Sequence, residues 1–161
     1  MSHIEPVRAS DREAVTALLD AAFAPSMFES SLVSRLRGER RTLWEWVVRE
    51  QGELLAYIAY TLAYRGATPI GFHLAPLAVR PESQRRRLGA GLTKHTLAQV
   101  PLSASAVFVL GDPAYYGRFG FRRISTPVCP FDPGNEHFLA LRCEESDETF
   151  EIGYEPEFLV V

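Results

Sequence analysis

The stretch Gln84-Arg85-Arg86-Arg87-Leu88-Gly89-Ala90-Gly91-Leu92 sets three guanidinium groups directly before small residues at the start of a helical pattern. A helix N-terminus exposes unpaired N–H groups and a partial positive charge, so it attracts anions. Small residues at Gly89, Ala90 and Gly91 let a phosphate approach the backbone, and the arginines supply charge. Together these suit a pyrophosphate, although arginines at such a place can also be a solvated helix start. The stretch has neither the Gly-Lys-Ser/Thr of a Walker loop nor the G-x-G-x-x-G of a dinucleotide fold.

Two further side chains offer proton chemistry. His73 lies in an apolar run, where a histidine is most often a satisfied packing residue. Tyr116 lies in residues 111–121 (GDPAYYGRFGF), where a tyrosine can cap the core against the sheet. Asp112 can cap a short helix opened by Pro113. Cys129 and Cys143 have no close-spaced partner or neighbouring His pattern, so no metal site is expected.

Periodicity supplies the elements that must position these groups. Residues 3–8 read as an edge strand, and helical spacing follows from Ala14 through Phe23 and from Phe28 to a stop at Gly38. Trp44, Trp46 and Val48 alternate on a strand. Gln51-Gly52 is a hairpin turn, and Leu54 to Tyr64 is a long strand. Trp44, Trp46, Tyr57 and Tyr60 read as core. Residues 70–80 form another strand, where Pro76 cannot donate a ladder bond and predicts a bulge. A helix over Leu88–Val100, a buried strand over 105–111 and a short helix over Pro113–Phe119 come next. Phe121–Ile124 and Glu136–Cys143 close the order βααβββαβαββ. This predicts an α/β (α+β) mixed sheet with helices on both faces.

The 161 residues fit one domain, 1–161. Net charge is −3, which argues against a nucleic-acid partner. The N-terminus lacks a signal-peptide pattern and no apolar run approaches a membrane span, so a cytoplasmic protein without a membrane partner is expected.

At Gln84-Arg85-Arg86-Arg87-Leu88-Gly89, after the strand residues Leu77-Ala78-Val79, and again at residues 111–121, the chain resembles the GNAT superfamily of acetyl-CoA-dependent N-acetyltransferases, in its YhbS-like branch. The family's loop is Q/R-x-x-G-x-G/A, and Arg87 stands where its first glycine usually lies. The second match is to a helix ending in Y-x-x-x-G-F. The resemblance covers essentially the whole chain. It implies a six- to seven-stranded mixed sheet with a splayed strand pair and about four helices. It also implies that acetyl-CoA is co-substrate and that an amine of a small molecule or peptide attacks it directly in a ternary complex.

Coenzyme contacts are then expected from Leu77, Ala78, Val79, Gln84, Arg85, Arg86, Arg87, Leu88, Gly89, Ala90, Gly91, Leu92, Asp112, Tyr115 and Phe119. The resemblance makes Tyr116 the acid that protonates the thiolate and His73 a candidate base. The loops near 24–31 and 125–136 would set the acceptor, with Glu29, Asp132 and Glu136 able to attract a cationic amine. A homodimer is compatible with the family. The alternative is a module that binds acyl-CoA without turning it over; the presence of Tyr116 favours the enzyme.

Overall fold

Aromatic and aliphatic residues build an antiparallel meander from β2 (Trp44–Glu50), β3 (Glu53–Arg65) and β4 (Thr68–Val79), to whose edge β1 (Ser2–Pro6) is added antiparallel to β2. The computed structural model describes residues 2–159. Between β1 and β2 run α1 (Arg12–Ala22) and α2 (Phe28–Gly38). After β4 come α3 (Leu88–Leu97), β5 (Val107–Leu110), the single turn α4 (Pro113–Tyr116), β6 (Arg122–Arg123) and β7 (Phe138–Leu141). The seven strands form one sheet in the order β1-β2-β3-β4-β5-β7-β6, in which the β4–β5 pair is parallel and the others are antiparallel. The expected mixed sheet and helix order are thus present. No helix among the described residues is long and apolar enough to cross a membrane.

Local chemistry accounts for the turns and ends. Gln51 and Gly52 both take positive φ, 51° and 82°, the backbone that matches a two-residue hairpin to strand twist. Helix α3 stops at Leu97 rather than at the expected Val100, because Pro101 disfavours helix in the residue before it. The closing strands are shorter than expected. The segment from residue 150, to which no periodicity assigns structure, bridges Gly153 to Tyr64 and ends in a turn at Pro156–Leu159. It is tied down by Arg41 on the Glu157 carboxylate at 2.8 Å and by Arg35 on the Glu157 carbonyl at 2.7 Å.

The sheet is covered differently along its length. One face packs Leu92 and Leu97 of α3 on Ile58, Tyr60, Phe72 and Leu74. The other packs Val15, Leu18, Leu19 and Val33 of α1 and α2 on Val47, Tyr57, Ala59 and Ala78. Tyr57 and Tyr60 are fully buried, as expected for core residues, and each hydroxyl is bonded, to Glu45 and Thr96 respectively. Phe108 and Phe138 anchor a third cluster under the loops.

The decisive irregularity lies in β4. Ile58 pairs with Leu77 and Tyr60 with Leu74, so Ala75 and Pro76 together oppose Ala59 in a bulge. On the other side β4 pairs with β5 only over Phe72–Leu74 and leaves it thereafter. The two parallel strands therefore diverge, with Gly71 at the closed end. A β-carbon on Gly71 would stand 2.4 Å from the carbonyl oxygen of Ala106. Gly71→Ala should lower unfolding stability by about 1–3 kcal/mol, read from the denaturation midpoint, because backbone must give way where the strands meet.

Candidate active site

Two cavities lie along the diverging strands. The first is a cleft at the start of α3, lined by Val79, Gln84, Arg85, Arg87, Leu88, Gly89, Ala90, Tyr115 and Arg118 among others. The first helical bond runs from Gly91 N–H to the Arg87 carbonyl at 3.0 Å, so the N–H groups of Leu88, Gly89 and Ala90 precede the helical ladder. Arg87, at the cap, holds φ 61° and ψ 24°. This is the left-handed conformation that glycine takes freely and another residue takes at about 1–2 kcal/mol. Gly89 packs tightly, since a β-carbon there would stand 3.1 Å from the Tyr115 hydroxyl and 3.3 Å from Val79 Cγ2 and would displace them by a few tenths of an ångström.

The second is a cavity of about 400 Å³ between the splayed strands, walled by Phe23, Phe28, Glu29 and Leu32 from the helical side. Its floor is His73 to Leu77 of β4 and Phe108 to Leu110 of β5, and Tyr116, Phe131, Tyr154 and Phe158 complete it. Leu77 belongs to this cavity and Val79, two residues on, to the cleft at the start of α3. Tyr116 and Tyr115 divide in the same way on α4.

Strand phase decides what joins the cavities. Arg80 N–H donates to the Leu55 carbonyl of β3 at 2.8 Å. Donors alternate sides along a strand, so Ala78 N–H also faces β3, while the N–H groups of Leu77 and Val79 face the gap. Two backbone donors thus point into the space that runs from the cavity to the cleft.

Tyr116 sits at the cavity wall with its ring against Gly111, where a β-carbon would come within 2.5 Å of Tyr116 Cε2. Phe121 and Tyr115 close on its edges at 5.8 and 4.9 Å between centroids. Burial pushes its hydroxyl pKa up to about 12, so the phenol keeps its proton across the neutral range.

His73 is also in the wall, but its surroundings differ from those of an imidazole titrating near its usual value. It is 2 % exposed, stacked on Tyr154 with centroids 3.7 Å apart, and its Nε2 lies 3.0 Å from the Gly153 carbonyl. A carbonyl only accepts, so Nε2 carries the proton. Burial pushes its pKa down to about 4, leaving a neutral, weakly basic ring. These surroundings suit packing better than the expected role as a base near neutrality.

Other expected contacts separate. Arg86 turns away from the cleft to Glu50 at 3.0 Å, whereas Arg85 and Arg87 line it. Leu92 is core, Gly91 is exposed with its N–H already in the helix, and Ala78 packs under α1 with its N–H turned to β3. Asp112 caps α4 by accepting from Ala114 N–H at 2.9 Å, and Phe119 packs edge-on to Tyr115. Asp132 is spent on the His137 and Phe138 N–H groups, while Glu29 lines the cavity. Sequence reasoning missed Arg118, which stacks over the Tyr115 ring at 4.6 Å, and missed Phe131, Tyr154 and Phe158. Arg118 was legible only as a cation three residues after Tyr115; the others carry no local signal.

Comparison with known proteins places this arrangement. No family model matches the sequence. The chain is 32% identical over 114 residues to the uncharacterized N-acetyltransferase YhbS of Escherichia coli K12, covering 69% of this chain and 68% of YhbS. The chain belongs to the GNAT family of N-acetyltransferases. It is also 32% identical over 117 residues to the uncharacterized N-acetyltransferase YjhQ of the same strain, covering 70% of this chain and 65% of YjhQ, less than two thirds of that protein. Among solved structures, the fold matches E. coli YhbS in complex with CoA (TM-score 0.86, 25% identity, 99% of this chain and 92% of that one). It also matches a GNAT acetyltransferase from Brucella melitensis in complex with acetyl-CoA (TM-score 0.81, 26% identity, 98% of both chains).

Within this GNAT fold His73 has a measurable consequence. Its folded-state pKa of about 4 lies below the ordinary 6.5, so the unfolded chain takes up the proton first. Its contribution to stability is intact above pH 6.5 and is lost as pH falls through about 4, to a total of about 3 kcal/mol at about 1.4 kcal/mol per pKa unit. Urea unfolding of His73→Gln between pH 7 and 4 should show a correspondingly smaller loss than the parent.

Proposed function

We propose that the chain transfers the acetyl group of acetyl-CoA to a primary amine by direct attack. The observation that carries this reading is the open pair of N–H groups at Leu77 and Val79, which joins the anion cleft to the apolar cavity. A pantetheine arm can lie there as an added strand, with its amides on these donors. The coenzyme's pyrophosphate then meets the N–H groups of Leu88, Gly89 and Ala90, with Arg85, Arg87 and Arg118 as counter-charges. Support comes from the two similar structures, which hold CoA and acetyl-CoA.

In this geometry the thioester reaches the cavity at Leu77, where a β4 N–H can polarise its carbonyl. The amine, once neutral, attacks the carbonyl carbon. The C–S bond then breaks, and Tyr116 gives its proton to the thiolate while the nitrogen loses one. A phenol near 12 is a weaker acid than an ordinary thiol near 8.5. The same apolar wall raises the thiolate's basicity too, which narrows the gap. A molecule that only sensed acyl-CoA would have no use for this phenol.

Tyr116→Phe should lower turnover about 10²-fold or more and leave CoA affinity by calorimetry unchanged. Gly89→Val should do the opposite, weakening CoA at least about tenfold by crowding Tyr115 and Val79. A Tyr116→Phe effect confined to KM would reduce that residue to shaping the pocket.

A further inference from the structure

The walls of the transfer cavity also limit what can be acetylated, given the coenzyme placement above on which this step rests. Glu29 is the one acidic side chain among the described residues that line the cavity, and no lysine or arginine lines it. Its carboxylate accepts from Ser26 Oγ at 3.2 Å and forms no ion pair with a described residue. An anion without a cationic partner, in a wall otherwise aromatic and aliphatic, selects for positive charge in what enters.

Further polar partners are scarce. His73 spends its Nε2–H on Gly153, the Tyr154 hydroxyl lies 3.5 Å from Cys129 Sγ, and in the coenzyme placement above Tyr116 is committed to the thiolate. A polyhydroxylated amine would find few side-chain partners for its hydroxyls, and a polyamine would carry a second ammonium with no second carboxylate. The rim argues for an apolar body in the same way. Phe28, Leu110 and Phe131 line the cavity and yet stand 40%, 43% and 45% exposed, surface that an aryl or alkyl group would cover.

We infer that the acceptor is an apolar primary monoamine, a single ammonium on an aryl or alkyl body, with Glu29 holding the ammonium. On binding, the ammonium yields one proton to the carboxylate or through it to water. The neutral nitrogen forms the new C–N bond at the carbonyl carbon, and the C–S bond then breaks. Its second proton replaces the one Tyr116 gives to sulfur, so one proton is released per turnover.

The test compares 2-phenylethylamine, spermidine and glucosamine as acceptors, by thiol release, on protein whose acetyl-CoA affinity has been measured by calorimetry. The expected result is kcat/KM for 2-phenylethylamine at least about tenfold above the other two. Glu29→Gln should lower it at least about tenfold with acetyl-CoA affinity unchanged, while 2-phenylethanol, which keeps the ring and lacks the charge, inhibits both proteins alike. Equal or better use of spermidine or glucosamine, or no use of any of the three by protein that binds acetyl-CoA, overturns the inference. Failure to bind acetyl-CoA overturns the coenzyme reading and this inference with it.

Discussion

A missing hydrogen-bond donor governs this molecule. Pro76 has no N–H, and the strand accommodates it by placing Ala75 and Pro76 together opposite Ala59. Beyond that bulge β4 stays on β3 but leaves β5, whose pairing ends at Leu74. Parallel strands normally saturate each other's backbone groups. Here the Leu77 and Val79 N–H groups are left facing a gap, and buried backbone donors without partners are costly. A gap of this kind is stable when it is wet or when a ligand supplies the acceptors, and an extended amide chain supplies them at strand spacing.

The surrounding elements hold that gap open and give it ends of opposite character. Helix α3 brings its N-terminus beside Val79, close enough that a β-carbon at position 89 would press on Val79 Cγ2 and the Tyr115 hydroxyl. Helix α4 is one turn long, and its consecutive tyrosines face different cavities, Tyr115 the charged cleft and Tyr116 the apolar one. Ring packing by Phe121 and close contact with Gly111 fix the Tyr116 phenol at the end where the carbonyl would lie. One end is thus suited to phosphate and the other to a thioester and an amine.

Most of this frame was legible in the sequence because its causes are local. Pro76 cannot bond in any strand, Gln51-Gly52 can turn in few ways, and Arg87-Leu88-Gly89 announces a helix start whatever surrounds it. What was illegible depends on distant contacts. Three consecutive arginines look alike, but Glu50 takes Arg86 out of the cleft and leaves Arg85 and Arg87 in it. His73 looks like a base until Tyr154 stacks on it and the Gly153 carbonyl accepts its Nε2–H. Tyr154 and Phe158 reach the cavity on a segment with no periodicity, held by an ion pair between Arg41 and Glu157, 116 residues apart. Periodicity finds elements; it does not find walls assembled from aperiodic chain.

The claim that the coenzyme lies as a strand in the gap is tested most directly by residue-resolved amide hydrogen exchange with and without acetyl-CoA. The account predicts slowed exchange at Leu77 and Val79 and at Leu88 to Ala90, with little change at Ala78 and Arg80, whose N–H groups face β3. Binding that leaves Leu77 and Val79 unprotected, or that protects α1 and α2 instead, would contradict it.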